Sequence, residues 1–172
     1  MTRLQKIKMT LFFAFLLSFA LAAGVGPFNA AAETISVDLK LLQQSAGIRH
    51  FSVVYRFEGT EPFTTGLGIR IHYNSNAVSK AVFTDIFQEG LVVKDMTPKP
   101  DAADYDRNPE TDRFIVLAWM DIDGRWPGNA GPSLTLATLS TTLNPGGEAP
   151  QLAVTASSVP AGLDFKGGRV AN

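Results

Sequence analysis

Leu67-Gly68-Ile69-Arg70-Ile71-His72-Tyr73-Asn74 is the stretch whose reading decides the fold. Leu67, Ile69, Ile71 and Tyr73 take every second position, and Arg70, His72 and Asn74 fall between them. Side chains of an extended chain point alternately to two faces. The spacing therefore predicts a strand with one face in a core and the other toward solvent.

The same period recurs on both sides of this stretch. In 34–41, Ile35, Val37, Leu39 and Leu41 alternate with Ser36, Asp38 and Lys40; in 51–57, Phe51, Val53, Tyr55 and Phe57 alternate with Ser52 and Arg56. The run 114–120 (FIVLAWM) is apolar at both parities. Such a strand is central and covered on both sides, or it faces a binding surface. The Thr-, Leu- and Val-rich runs 133–143 and 151–157 suit strands, and 163–165 makes a short last one. Breakers separate the runs at Glu61-Pro62, Thr97-Pro98-Lys99-Pro100, Pro127-Gly128, Asn144-Pro145-Gly146-Gly147 and Val159-Pro160. A helical period is absent except for a turn expected at 84–88. Short strands with regular turn signals predict an all-β sandwich or barrel.

The first 32 residues read differently. Arg3, Lys6 and Lys8 precede an uncharged apolar run of about fifteen residues from Met9 to Ala23. That is short for a bilayer span, which takes roughly 20 residues, and it fits the apolar region of a signal peptide. Gly24, Gly26 and Pro27 end the run, and Ala30-Ala31-Ala32 offers the small residues a signal peptidase needs. Cleavage is expected before Glu33, with 33–172 as a single domain exported to the periplasm or the exterior and no membrane span after cleavage. Loss of the three basic residues leaves 12 Lys and Arg against 16 Asp and Glu, a net charge of −4. An acidic domain is a poor general ligand for nucleic acid or anionic lipid. The chain has no cysteine, so core packing, with or without help from a metal, must replace the disulfides that export would permit.

Acidic residues are concentrated in one region. Asp95, Asp101, Asp104, Asp106, Glu110, Asp112, Asp121 and Asp123 are half of all the acids in the chain. Asp104, Asp106 and Asn108 place oxygen side chains at alternate positions, and Glu110 and Asp112 continue the series. Calcium takes six to eight oxygen ligands from flexible loops, so these five residues, closed by Asp121 and Asp123 from beyond the next strand, form the candidate calcium set. Pro109 stands where an EF-hand loop needs glycine, which excludes that motif. A solvated acidic turn is the alternative.

Trp126, beside Arg125 in the turn Asp123-Gly124-Arg125-Trp126-Pro127-Gly128, is a candidate stacking platform for a sugar if exposed. The alternative is an indole folded back over the end of the sandwich. Arg70, His72 and Asn74 are candidates for a docking face. The chain has no Gly-x-Ser-x-Gly elbow, no His-Glu-x-x-His and no phosphate-cradling glycine loop.

The stretches Thr64-Thr65-Gly66-Leu67-Gly68-Ile69-Arg70-Ile71-His72-Tyr73-Asn74-Ser75 and Val116-Leu117-Ala118-Trp119-Met120-Asp121-Ile122-Asp123-Gly124-Arg125-Trp126-Pro127-Gly128, with the Asp-rich loop between them, resemble the cohesin-like domains of bacterial secreted and surface proteins. The resemblance runs over most of 34–165. It implies a jelly-roll β-sandwich of about nine strands, related in fold to carbohydrate-binding modules. Cohesins bind dockerin modules, and relatives of this type stand within adhesins or matrix proteins. Here a single module is expected, with no dockerin, enzyme or anchor attached. The reading is a secreted, non-enzymatic recognition or structural module for an extracellular protein partner or a surface or matrix complex. Two alternatives stay open: a carbohydrate-binding module for an extracellular polysaccharide, and a small glycosidase-like enzyme using paired carboxylates.

Overall fold

The computed structural model describes residues 32–146 and 150–170. Residues 1–31, which hold nearly all of the expected export signal, lie outside the described residues. Among the described residues, no helix is long and apolar enough to cross a membrane.

The chain forms ten strands: β1 (Thr34–Ser45), β2 (Ile48–Glu58), β3 (Gly66–Tyr73), β4 (Val78–Thr84), β5 (Leu91–Pro100), β6 (Arg113–Met120), β7 (Ser133–Leu143), β8 (Leu152–Ser158), β9 (Asp164–Gly167) and β10 (Arg169–Val170). They make two five-stranded sheets, ordered β4-β7-β2-β1-β9 and β10-β8-β3-β6-β5. The alternation seen in the sequence determines which residues meet between them. Ile35, Val37, Val53, Tyr55, Leu136 and Leu139 from the first sheet and Leu67, Ile69, Ile71, Ile115, Leu117 and Trp119 from the second belong to one buried cluster. The fold is thus an all-β sandwich.

The tenth strand arises from a sheet change. β9 runs parallel to β1, and β10 pairs antiparallel with β8 in the other sheet. Between them, the Gly168 N–H donates to the Val37 carbonyl in one sheet, while the Gly168 carbonyl accepts from the Val154 N–H in the other. A Cβ on Gly167 would lie 1.8 Å from the Val154 carbonyl oxygen. Glycine is therefore required for the chain to pass this close to β8. Counted as one segment crossing the sandwich edge, β9 and β10 restore the expected nine.

Two strands were not expected. In β4, Val78, Ala81 and Phe83 are buried and a register shift falls between Val78 and Lys80, so a bulge breaks the period of two. β5 includes the Thr97-Pro98-Lys99-Pro100 segment read as a breaker. It is an edge strand with irregular pairing to β6, a place where missing proline N–H groups cost no ladder bond. The helical turn expected at 84–88 is absent; Thr84 ends β4, Asp85 is a bend, and 86–88 have no regular structure.

β6 is covered on both faces over part of its length only. Ile115, Leu117 and Trp119 point into the core. On the outer face, Phe114 is covered, Val116 and Ala118 are partly covered, and Met120 is exposed.

Candidate functional site

Strand β3 lies between β8 and β6, so its outer side chains occupy the middle of a sheet face. The segment 101–112, which joins β5 to β6, folds back over one half of that face. The Asp101 N–H donates to the Asp112 carbonyl (2.9 Å), closing the base of the loop. Within it, turns run from Asp101 to Asp104, Asp104 to Arg107 and Asn108 to Thr111. Asp104 and Arg107 take left-handed backbone angles, φ 49° and 55°. Aspartate tolerates that region better than most residues.

Under this loop lies His72, 0% exposed. Its Nδ1 is 2.7 Å from Asp101 Oδ2, and its Nε2 is 2.8 Å from Thr155 Oγ1 on β8. Burial pushes the imidazole below its ordinary pKa; Asp106 and Asp101 pull the other way without reversing the shift. The ring is therefore neutral near pH 7. The partners assign its tautomer: Nδ1–H donates to the carboxylate, and Nε2 accepts from the Thr155 hydroxyl. Asp106 is also buried; its Oδ2 accepts from Thr111 Oγ1 (2.8 Å) and its Oδ1 from the Asn108 N–H (3.2 Å). Among the described residues, His72, Asp101 and Asp106 form a group whose ligand atoms lie within 4.8 Å of one another. The roof is held further by Tyr105, whose ring centroid lies 4.1 Å from the Arg70 guanidinium carbon and 5.9 Å from the Phe114 ring. Asn108 donates to Gln151 Oε1 (3.0 Å), and Arg169 donates to the Asp106 carbonyl.

This arrangement corrects two expectations and decides between the alternatives of a third. First, Arg70, His72 and Asn74 do not make an exposed docking face. His72 is sealed under the loop, Arg70 is half-buried and donates to the Ala156 carbonyl, and Asn74 lies past β3, bonding Asn76 in the turn to β4. A period of two shows which face a residue takes but not whether another segment covers that face.

Second, the seven-residue calcium set does not converge. Asp112 accepts from the N–H and Oγ of Ser75, both at 2.7 Å, and Asn108 Oδ1 accepts from the Glu110 N–H. Glu110 contacts Gln151, and Asp104 lines the outside of the loop. Asp121 and Asp123 follow the opposite end of β6 from Asp112, across eight strand residues or roughly 26 Å at about 3.3 Å each. Asp121 is turned on its own loop, accepting from the N–H groups of Asp123 and Arg125.

Third, Trp126 is 1% exposed and stacks on no external surface. A short antiparallel bridge to Thr64 holds it in place. Its indole N–H donates to the Glu89 carbonyl (3.1 Å), and its ring meets Tyr55 edge-on at 5.1 Å and Trp119 at 5.9 Å. Arg125 remains outside, at an exposed turn.

Sequence reasoning missed the role of Asp101. It stands 29 positions from His72, and no local spacing links the two. Also missed was the half of the sheet face that the loop leaves open. There Val93 (39% exposed), Ala118 and Met120 (57% exposed) point outward. Val93 pairs with Ala118, Ala118 with Gly68, and Met120 with Gly66, and the Ser157 and Ser158 hydroxyls lie where a Gly68 side chain would stand. Ile122, 90% exposed, projects from the turn after Met120.

No family model matches the chain, and neither does any curated protein. Among solved structures, the chain is similar to a chain of a complex between a variant of CaDoc0917 and CaCohA2, with 16% identity and a TM-score of 0.41 over 79% of this chain and 97% of that one. It is also similar to a chain of the Coh-OlpA–Doc918 complex, a type I cohesin–dockerin complex from Clostridium thermocellum ATTC 27405, with 12% identity and a TM-score of 0.43 over 80% and 97%. These likenesses are remote, and the chain's own surface carries the functional reading.

Proposed function

We propose that the domain is a non-enzymatic recognition module that docks a protein partner on the open half of the β10-β8-β3-β6-β5 face. The observation that carries this reading is the grouping of Val93, Ala118 and Met120 on one outer sheet face, beside Gly66 and Gly68. Exposed apolar side chains grouped on a rigid sheet mark an interaction surface more often than scattered ones do. An outer sheet face suits a protein surface better than a small molecule, which needs a concave site. The sugar-platform reading loses its central residue, since Trp126 is internal. We further infer that the module acts outside the cytoplasm, from the basic start, the apolar run and Ala30-Ala31-Ala32.

Site-specific photocrosslinking tests the docking face. A benzophenone side chain is placed at Met120 or, as a control on the opposite sheet, at Lys40, and the protein is incubated with secreted and surface proteins of its host. The expected result is a discrete adduct with one protein from position 120 only, lost in Val93→Glu. Equal labelling from both positions, or no adduct, would sink the reading. An adduct with a second copy of the chain would replace it with self-assembly.

A further inference from the structure

We propose that His72 Nδ1 and the carboxylates of Asp101 and Asp106 form a site for a divalent transition metal of the zinc class, which clamps the 101–112 loop onto β3. The site is independent of the docking reading. The donor set is one nitrogen and two oxygens on three buried side chains. Calcium, which takes oxygen ligands, is disfavoured by the imidazole; zinc accepts histidine together with carboxylate.

Two features beyond proximity point to a cation. Asp106 is 3% exposed and has no ion-pair partner among the described residues. The two nearby cations are committed elsewhere: the Arg70 guanidinium donates to the Ala156 carbonyl and lies against the Tyr105 ring, and Arg169 donates to the backbone carbonyl of Asp106 and not to its carboxylate. Two buried carboxyl groups thus converge on one imidazole with no lysine or arginine side chain bonded to either of them among the described residues, and buried acidic groups are ordinarily paired or bound to a metal. In addition, a cavity of about 400 Å³ lined by Asp101, Asp104, Thr111 and Asp112 borders the cluster at Asp101.

The surroundings fit ligation. A metal-bound histidine needs its other ring N–H held by an acceptor. When Nδ1 takes the metal, the imidazole proton moves to Nε2 and donates to Thr155 Oγ1, already 2.8 Å away. The hydroxyl serves as acceptor instead of donor, and the ring keeps one proton throughout. The carboxylates are oriented by the Tyr105 N–H on Asp101 and by Thr111 Oγ1 and the Asn108 N–H on Asp106. Ligand atoms around a tetrahedral zinc with bonds of about 2.0–2.1 Å stand roughly 3.3 Å apart. Binding therefore parts His72 Nδ1 and Asp101 Oδ2, now a hydrogen bond of 2.7 Å, and draws in any ligand atom that stands further off within the 4.8 Å limit.

Purified protein is stripped with EDTA and titrated with Zn²⁺, Co²⁺ and Ca²⁺. The readouts are metal content after dialysis, the visible absorption of bound Co²⁺, and Tm. Expected are one Zn²⁺ per chain, a Co²⁺ spectrum carrying nitrogen ligation, and a Tm raised by Zn²⁺ but not by Ca²⁺. His72→Gln and Asp106→Asn should each lower Zn²⁺ affinity at least tenfold. Asp106→Asn keeps an acceptor for Thr111, so it remains informative if His72→Gln does not fold. The proposal is overturned by an absence of retained metal, by affinity unchanged in Asp106→Asn, or by an equal response to Ca²⁺; the last two outcomes would place the ion on the exposed acids Asp104 and Asp112.

Discussion

Replacing Trp126 with alanine separates a structural indole from a surface one. The ring is 1% exposed, packs on Tyr55, Trp119 and Phe87, and donates to the Glu89 carbonyl. A buried tryptophan removes about 150–250 Å² from water. At about 25 cal/mol per Å², that is roughly 4–6 kcal/mol, an upper figure because the unfolded chain already hides some of this area. Measured losses for large aromatic residues replaced by alanine are about 3–5 kcal/mol. The Glu89 carbonyl also loses its donor, adding about 1 kcal/mol if it stays dry. We expect a loss of about 4 kcal/mol. With a urea m-value near 2 kcal/mol/M, the midpoint should fall by roughly 2 M at unchanged m. Equilibrium unfolding followed by far-UV circular dichroism measures this directly. A platform tryptophan in water would cost within about 0.5 kcal/mol. A midpoint shift below about 0.3 M with unchanged near-UV dichroism would refute the buried placement and reopen the sugar reading.

Four further outcomes are expected. Burial pushes the Tyr55 hydroxyl up to about 12 from its usual value near 10; since this folded-state pKa is raised, its contribution is complete below pH 10 and is lost as pH rises to 12. The loss is roughly 2–3 kcal/mol, visible as a falling urea midpoint in that window. The Tyr55 hydroxyl has no hydrogen-bond partner among the described residues, so Tyr55→Phe should leave neutral-pH stability unchanged or higher and flatten that alkaline fall; a loss above about 1 kcal/mol would mean the hydroxyl has a partner. Gly167→Ala drives a methyl toward the Val154 carbonyl at the sheet crossing and should cost about 3 kcal/mol by the same unfolding assay, whereas Met120→Glu on the open face should stay within about 0.5 kcal/mol.

Much of the fold was legible because strand alternation is a local code. The inward set of β3 (Leu67, Ile69, Ile71 and Tyr73) and the parity of Trp119 in β6 follow from chain geometry alone, and the structure buries each of them. β4 and β5 were hidden because a bulge and edge prolines interrupt that code where a sheet edge tolerates them. The candidate site was less legible. His72 was assigned to the outer face, and it is on the outer face, but it is also fully buried.

The sequence by itself determined the all-strand character, the core faces, the acidic balance and the concentration of carboxylates between 95 and 123. Only the tertiary structure decided which carboxylates meet. β6 carries Asp112 and Asp121 to opposite ends of the sandwich, while the loop returns Asp101 and Asp106 to a histidine on another strand. It also decided that Trp126 turns inward and that half of one sheet face stays open. Alternation and charge are properties of neighbours along the chain. Coverage and convergence depend on contacts between residues far apart in sequence, here 29 positions for His72 and Asp101 and 83 for His72 and Thr155, and such contacts exist only once the sheets have paired.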